Sequence, residues 1–268
     1  VSSPWSAPSP APSRRAVLRG GLTLAAGLAG MTGLSACRST TEGLAPVEEG
    51  RLDTKHWPGH RPRWLLALPE GARVTVVALH GHGADAGMWF DPPLAQRLAH
   101  ELGVAVAAVD GGTTYWHARA DGTDTGTMVL EDLLPALEQA GAPTDRLGLT
   151  GFSMGGYGAL LLATRLPPER VLGVAAVSAA LFFDAHEAAP GAFDDADDFA
   201  RHDIFDRVDA LRELPVWLAC GDDDTFAATN QSLAKQLPDA TTRFDAGGHD
   251  RAYLEAHWPA GMGFLTNR

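Results

Sequence analysis

Residues Gly151-Phe152-Ser153-Met154-Gly155-Gly156 constrain this chain more than any other stretch. They carry a Gly-x-Ser-x-Gly pattern in a telling setting. A short apolar run, Arg146-Leu147-Gly148-Leu149-Thr150, precedes it and is bounded by the turn-like Ala142-Pro143-Thr144-Asp145. Residues 157–166 follow and read as a helix. Strand, sharp turn and helix in that order hold a serine in a strained backbone, and the glycines leave room where side chains would collide. The turn lifts the hydroxyl above the sheet and aims a helix N-terminus at whatever binds there. The expectation is an activated serine at position 153.

The rest of the chain supplies a matching frame. Residues 63–68 and 73–79 read as strands, the second rich in valine. Residues 88–102 show helical spacing through Leu94, Leu98 and Leu102, and Val104 to Val109 is a continuous apolar run, as in a strand covered on both faces. Residues 128–140 read as a helix, and 171–177, 216–219 and 242–245 as strands. Helical stretches at 226–237 and 251–264 accompany the last two. This alternation predicts an α/β fold with a mostly parallel central sheet and helices on both faces. Reactive groups then gather on loops beyond the carboxyl ends of the strands.

A serine hydroxyl needs a base, and acyl transfer needs donors for the oxyanion. In the α/β-hydrolase arrangement the order along the chain is serine, acid, histidine. Of the histidines after Ser153, His249 follows Gly247-Gly248 directly after the final strand, where a loop can bring an imidazole over the serine. His257 lies inside the last helical segment, and His186 and His202 sit in an acidic stretch too early in the order. The acid belongs after residues 215–220, where Gly221-Asp222-Asp223-Asp224 offers three carboxylates. Asp224 is favoured by the Gly-x-x-Asp spacing, with Asp223 next; the others suit turn formation and capping. Oxyanion donors are expected from the backbone of Met154 and from His80-Gly81-His82-Gly83, where His82 is the choice. His80, His82 and Asp85 lie close in sequence, but two histidines two apart without a distant third ligand are weak grounds for zinc, and no metal or other cofactor is expected. Trp89, Tyr115 and Trp116 sit in loops suited to lining a substrate pocket, although aromatic residues there also serve plain packing. Cys220, at the end of an apolar strand, reads as a buried core thiol.

The N-terminal region reads as an address. Ser13-Arg14-Arg15-Ala16-Val17-Leu18-Arg19 matches a twin-arginine export signal, and a glycine-rich apolar stretch runs to Leu34-Ser35-Ala36-Cys37, which resembles a lipobox. Residues 1–36 are expected to be the signal, 37–60 a lipidated Cys37 with a flexible tether, and 61–268 the catalytic domain. The expected location is the outer face of a bacterial cytoplasmic membrane, or outside the cell. Removing Arg14, Arg15 and Arg19 takes the formal net charge from -12 to -15. A chain this acidic is a poor binder of nucleic acid or anionic lipid. The acidic run within residues 184–206 reads as a solvated loop rather than a lid.

Together, Gly151 to Gly158, Cys220 to Asp224 and Gly247-Gly248-His249-Asp250 resemble an esterase family of α/β-hydrolases. The family includes S-formylglutathione hydrolases (esterase D), feruloyl and acetyl-xylan esterases, enterochelin esterases and mycolyltransferases. The resemblance covers roughly residues 61–265 and implies Ser153 as nucleophile, Asp224 as acid, His249 as base, and Met154 and His82 as oxyanion donors. It implies a serine carboxylesterase acting on a small-molecule or glycan ester without a cofactor. An acyltransferase with the same triad is the alternative, and a non-catalytic binding lipoprotein comes third. The His80-Gly81-His82-Gly83 loop departs from that of esterase D and the mycolyltransferases, and no long cap domain is evident.

Overall fold

Strand-length apolar runs that alternate with helices build a single eight-stranded sheet in the computed structural model, which describes residues 43–267. The expected signal and Cys37 lie outside the described residues. The strands are β1 (Val47–Arg51), β2 (Arg63–Ala67), β3 (Thr75–Leu79), β4 (Ala105–Val109), β5 (Leu147–Phe152), β6 (Val171–Val177), β7 (Val216–Gly221) and β8 (Thr241–Asp245). Their order across the sheet is β1-β2-β4-β3-β5-β6-β7-β8. The β1–β2 and β2–β4 pairs are antiparallel, and every other pair is parallel. Every residue of β3, β4, β5 and β6 is buried, as their unbroken apolar runs predict for strands covered on both faces.

Two helical layers do the covering. On one face α1 (Leu94–Leu102) and α8 (Arg251–Thr266) bury Leu94, Leu98, Trp258 and Leu265 against Leu65, Val76, Ala78 and Val106. On the other, α3 (Leu134–Gln139), α4 (Met154–Ala163) and α7 (Ala227–Gln236) bury Leu137, Leu160 and Leu233 against Leu66, Val77, Leu79 and Ala107. Alternate residues of one strand thus serve opposite cores. Every residue of α4 is buried, so the helix that carries the serine motif is the most enclosed of the set. Two short helices, α5 (Ala196–His202) and α6 (Val208–Arg212), lie between β6 and β7, and α2 (Thr125–Met128) precedes α3. Among the described residues no large cap domain is inserted, and no helix is long and apolar enough to cross a membrane.

Three sequence expectations need correction. Residues 43–60, assigned to a flexible tether, belong to the compact unit that begins at Gly43. Val47-Glu48-Glu49-Gly50-Arg51 carries no apolar pattern because β1 is an exposed edge strand, joined to β2 through its backbone. Gly50 lies under the indole of Trp64, where a Cβ would collide, and Ala45 and Leu52 are buried at either end. The helix expected over residues 88–102 is broken: Asp91-Pro92-Pro93 separates a short 3-10 turn, Ala86–Trp89, from α1. The helix expected over 128–140 starts earlier, where Asp124 caps the Thr127 N–H, and passes through a π-turn at Val129–Leu133. Pro135, which has no N–H to give, follows at once in the first turn of α3.

The folded edge at residues 43–60 yields a direct expectation. A chain starting at residue 61 loses the burial of Leu52 and Ala45 and bares the backbone edge of β2. Its unfolding free energy in urea is expected to fall by about 3 kcal/mol or more relative to a chain starting at residue 43. Equal stabilities would return these residues to the tether.

Candidate active site

Ser153 joins β5 to α4 with φ 57° and ψ −120°, a backbone conformation that a non-glycine residue adopts only when its surroundings impose it. Its N–H donates to the Val177 carbonyl at 3.1 Å, and its own carbonyl accepts from Tyr157 at 3.0 Å and Ala180 at 2.9 Å. The other three non-glycine residues with positive φ among those described are Tyr115, Trp116 and Ser178. They follow β4 and β6, so all four lie beyond the carboxyl ends of strands in the middle of the sheet.

The loop after β8 brings His249 to the serine. Its Nε2 lies 2.8 Å from Ser153 Oγ, and its Nδ1 lies 2.9 and 3.1 Å from the two oxygens of Asp224. The carboxylate only accepts, so Nδ1 carries the ring proton and Nε2 accepts from the serine hydroxyl. Of the three carboxylates after β7, Asp224 alone faces His249. It also accepts the Phe226 N–H at 2.8 Å, while Asp222 and Asp223 are exposed and donate their N–H groups to Asp245 and Gly247. The Asp224 side chain is fully shielded from solvent. Burial pushes its pKa up, but the bonds from the His249 ring and the Phe226 N–H outweigh that, and the carboxyl is held below the usual range.

Met154 opens α4, so its N–H is one of the first-turn donors for which a helix offers no intrahelical acceptor. The loop after β3 runs past the same point: a Cβ on Gly81 would stand 3.5 Å from that of Ser153. His82, the next residue, is exposed. His80 braces this loop, since Gly111 N–H donates to its Nε2 at 2.9 Å while Nδ1 donates to the Gly81 carbonyl at 2.8 Å. Burial lowers the His80 pKa, so the ring stays in this neutral tautomer.

The expected lining residues divide. Trp89 and Trp116 are core residues: Trp89 packs on Trp258 at 4.5 Å, and Trp116 fills the space left by Gly158 and Gly111. Tyr115 is buried as well, but its ring belongs to a row that reaches His249. Rings lead from His82 through Tyr115, Phe182 and Phe226 to His249, with successive centroids 6.4, 6.3, 5.7 and 5.1 Å apart. The sequence reading missed Phe182, Phe226 and Asn230; the buried amide of Asn230 donates to Ala179 and Phe226 carbonyls and ties the loops after β6 and β7 together. Phenylalanine in a loop carries no mark separating a site wall from packing, and nothing local flags Asn230.

Most carboxylates of the acidic stretch are exposed, as expected of a solvated segment, but the stretch is also docked at a few points. Asp194 pairs with Arg119 at 2.8 Å, Asp195 caps α5, and Asp198 is buried beside His117 and His202. The last three are the one group among the described residues with the spacing of metal ligands. Their geometry does not suit one. A cation shared by two imidazoles lies in both ring planes at about 2 Å from each nitrogen. Here the rings stack at 4.3 Å with planes 25° apart, so the planes meet far from either ring. Both His117 nitrogens already face carbonyl oxygens, of Ala118 and Ala192. The cluster is a polar clasp under the segment. Cys220 is buried as expected, and burial, helped by Asp224, pushes its thiol up to about 12.

The sequence pattern of the Putative esterase family matches residues 97–260, which include Ser153, Asp224 and His249. Among curated relatives, the chain is 34% identical over 116 residues to the pimeloyl-[acyl-carrier protein] methyl ester esterase of Yersinia enterocolitica, covering 43% of this chain and 40% of that protein. It is 31% identical over 162 residues to Putative esterase NocK of Nocardia uniformis, covering 57% and 45%. The matches span less than half the length of these relatives. The solved structure of FphF, a fluorophosphonate-binding serine hydrolase of Staphylococcus aureus, superposes with a TM-score of 0.72 at 20% identity, covering 84% of this chain and 100% of that one. That likeness is one of fold. With the family pattern spanning more than half of its length, the chain belongs to the Putative esterase family of α/β-hydrolases.

Proposed function

We propose that the protein is a serine carboxylesterase. The observation that carries this reading is the unbroken chain of hydrogen bonds from buried Asp224 through His249 to Ser153 at 2.9 and 2.8 Å. In the proposed cycle His249 Nε2 takes the Ser153 proton as Oγ attacks the ester carbonyl carbon. The tetrahedral oxyanion is held by the backbone N–H groups of Met154 and His82, at the positive end of α4. Asp224 stabilises the imidazolium, which returns the proton to the leaving alcohol; water then repeats the sequence on the acyl-enzyme. Ester substrates are small molecules or glycans, and none of these steps draws on a cofactor. The matches to Ser13–Arg19 and Leu34–Cys37 support export and a membrane anchor on Cys37. In that case Cys37→Ala releases the enzyme from the membrane fraction without changing its specific activity.

Hydrolysis of a short-to-long p-nitrophenyl ester series tests the reading. Ser153→Ala is expected to abolish turnover while the protein remains folded, and the chain-length profile sizes the pocket. Absence of turnover together with absence of fluorophosphonate labelling at Ser153 overturns it. Labelling without turnover points instead to an acyltransferase lacking its acceptor. Asp224→Asn is expected to lower kcat by about 10³–10⁴-fold, because the amide favours the wrong imidazole tautomer. The same substitution reports on stability. A carboxyl whose pKa is depressed by folding contributes stability that is full above its unfolded value, about 3.9, and lost as pH falls through its lower folded value. The difference in unfolding free energy between wild type and Asp224→Asn should therefore narrow as the pH drops below about 4.

A further inference from the structure

The middle residue of the elbow, Phe152, takes no part in the cycle above, yet its ring lies against the base. Phe152 and His249 stack with centroids 4.8 Å apart and planes 24° from parallel. The same phenyl group meets the loop after β3: a Cβ on Gly81 would stand 3.3 Å from Phe152 Cδ1. Phe152 is 3% exposed, its ring between the loop that carries His82 and the loop that carries His249.

His249 needs such a wedge. Its loop has no helix or strand structure, and about a quarter of its side chain faces solvent. The bonds to Asp224 and Ser153 fix the two nitrogens but leave the ring free to pivot about the line that joins them. A flat surface against one face removes that freedom. Phe226 closes in from another side at 5.1 Å and 70°, while its backbone N–H holds Asp224. The charged group placed against the ring is the Asp224 carboxylate at its Nδ1 edge, so the π-face of Phe152 is what meets the imidazolium broadside as it forms. A phenyl face attracts a cation held over it, whereas an aliphatic side chain of similar bulk does not.

We propose that Phe152 is a positioning residue that orients the His249 imidazole and favours its protonated form during acyl transfer. The inference rests on the esterase reading, since it acts only through a working base. It assigns a role to the x position of Gly-x-Ser-x-Gly that the motif itself leaves open.

The experiment compares Phe152→Leu and Phe152→Tyr with wild type, each checked for folding by circular dichroism and thermal melting. Two rates are followed: p-nitrophenyl acetate turnover across pH, and second-order labelling of Ser153 by a fluorophosphonate. For Phe152→Leu the expected result is a kcat about tenfold lower with KM within about twofold, and labelling slowed in proportion. The acid limb of its kcat/KM profile should move to lower pH by about 0.5 unit, because the imidazolium has lost its stacking partner. Phe152→Tyr keeps the ring and should restore both rates and the limb. A Phe152→Leu enzyme that is folded, with kcat, labelling rate and acid limb all at wild-type values, overturns the proposal. So does a loss of rate with an unmoved limb that Tyr fails to restore, since that is the mark of packing alone. If Phe152→Leu does not fold, Phe152→Tyr and Phe152→Met carry the same comparison. A wild-type chain that neither turns over esters nor labels would sink the esterase reading itself, a result distinct from any in which wild type labels and the variants do not differ.

Discussion

The backbone of Ser153 cannot hold its conformation unaided. A non-glycine residue at φ 57° and ψ −120° costs on the order of 1–3 kcal/mol, and it persists only where the surroundings over-determine it. The glycines at 151 and 155 make that possible. A Cβ at 155 would overlap the Leu79 carbonyl oxygen at the end of β3, and one at 151 would overlap the Gly155 carbonyl. With both absent, the first turn of α4 presses directly onto the ends of β3 and β5. The Val177, Tyr157 and Ala180 bonds then clamp the serine from β6 and from α4 itself. Close packing and strain are two sides of one arrangement, and the burial of every residue of α4 supplies the stabilisation that offsets it.

The remaining site parts are held by the same principle at lower strain. Each comes from a different loop, and polar bonds or ring stacking tie these loops to one another. His80 joins the loop after β3 to the loop after β4, and Asn230 joins the loops after β6 and β7. The Asp223 N–H joins the loop after β7 to that after β8. Arg119 and the stacked His117–His202 pair fasten the segment after β6 to the loop after β4. A group misplaced by an ångström loses much of its effect, so these cross-links matter to chemistry as well as to stability.

How much of this was legible in the sequence follows from which residues act locally. The elbow was readable because its chemistry and its strain are confined to six consecutive residues. His249 and Asp224 were readable because chain order and strand ends leave few places for a base and an acid. β1 was not, because an exposed edge strand is held by backbone bonds that any polar sequence can make. The tryptophans misled for a related reason: Trp89 and Trp116 sit in loops by sequence but point into the core, and a loop position says nothing of direction. The docked acidic segment hid its partners, since Arg119 and His117 each lie 75 residues from the one they meet, Asp194 and Ala192.

The electrostatic design of the site explains why so few charged groups suffice. Before reaction, the triad as drawn by its hydrogen bonds holds one charge, the Asp224 carboxylate, shielded from water and satisfied by the His249 and Phe226 N–H groups. Burying that charge is costly until an opposite one appears beside it. In the proposed cycle this happens only when Ser153 gives its proton to His249, so the pairing of carboxylate and imidazolium strengthens at the moment the oxyanion forms. Two aromatic rings, Phe152 and Phe226, cover part of the imidazole while about a quarter of its side chain stays open to solvent, and on the covered side the new ion pair is screened less than in water. Interactions that grow toward the transition state accelerate the chemical step, whereas equal stabilisation of the ground state does not. The phenyl rings are therefore part of the electrostatics: they narrow the access of solvent to the base, and the carboxylate behind it, fully shielded, acts on the imidazolium through little intervening water.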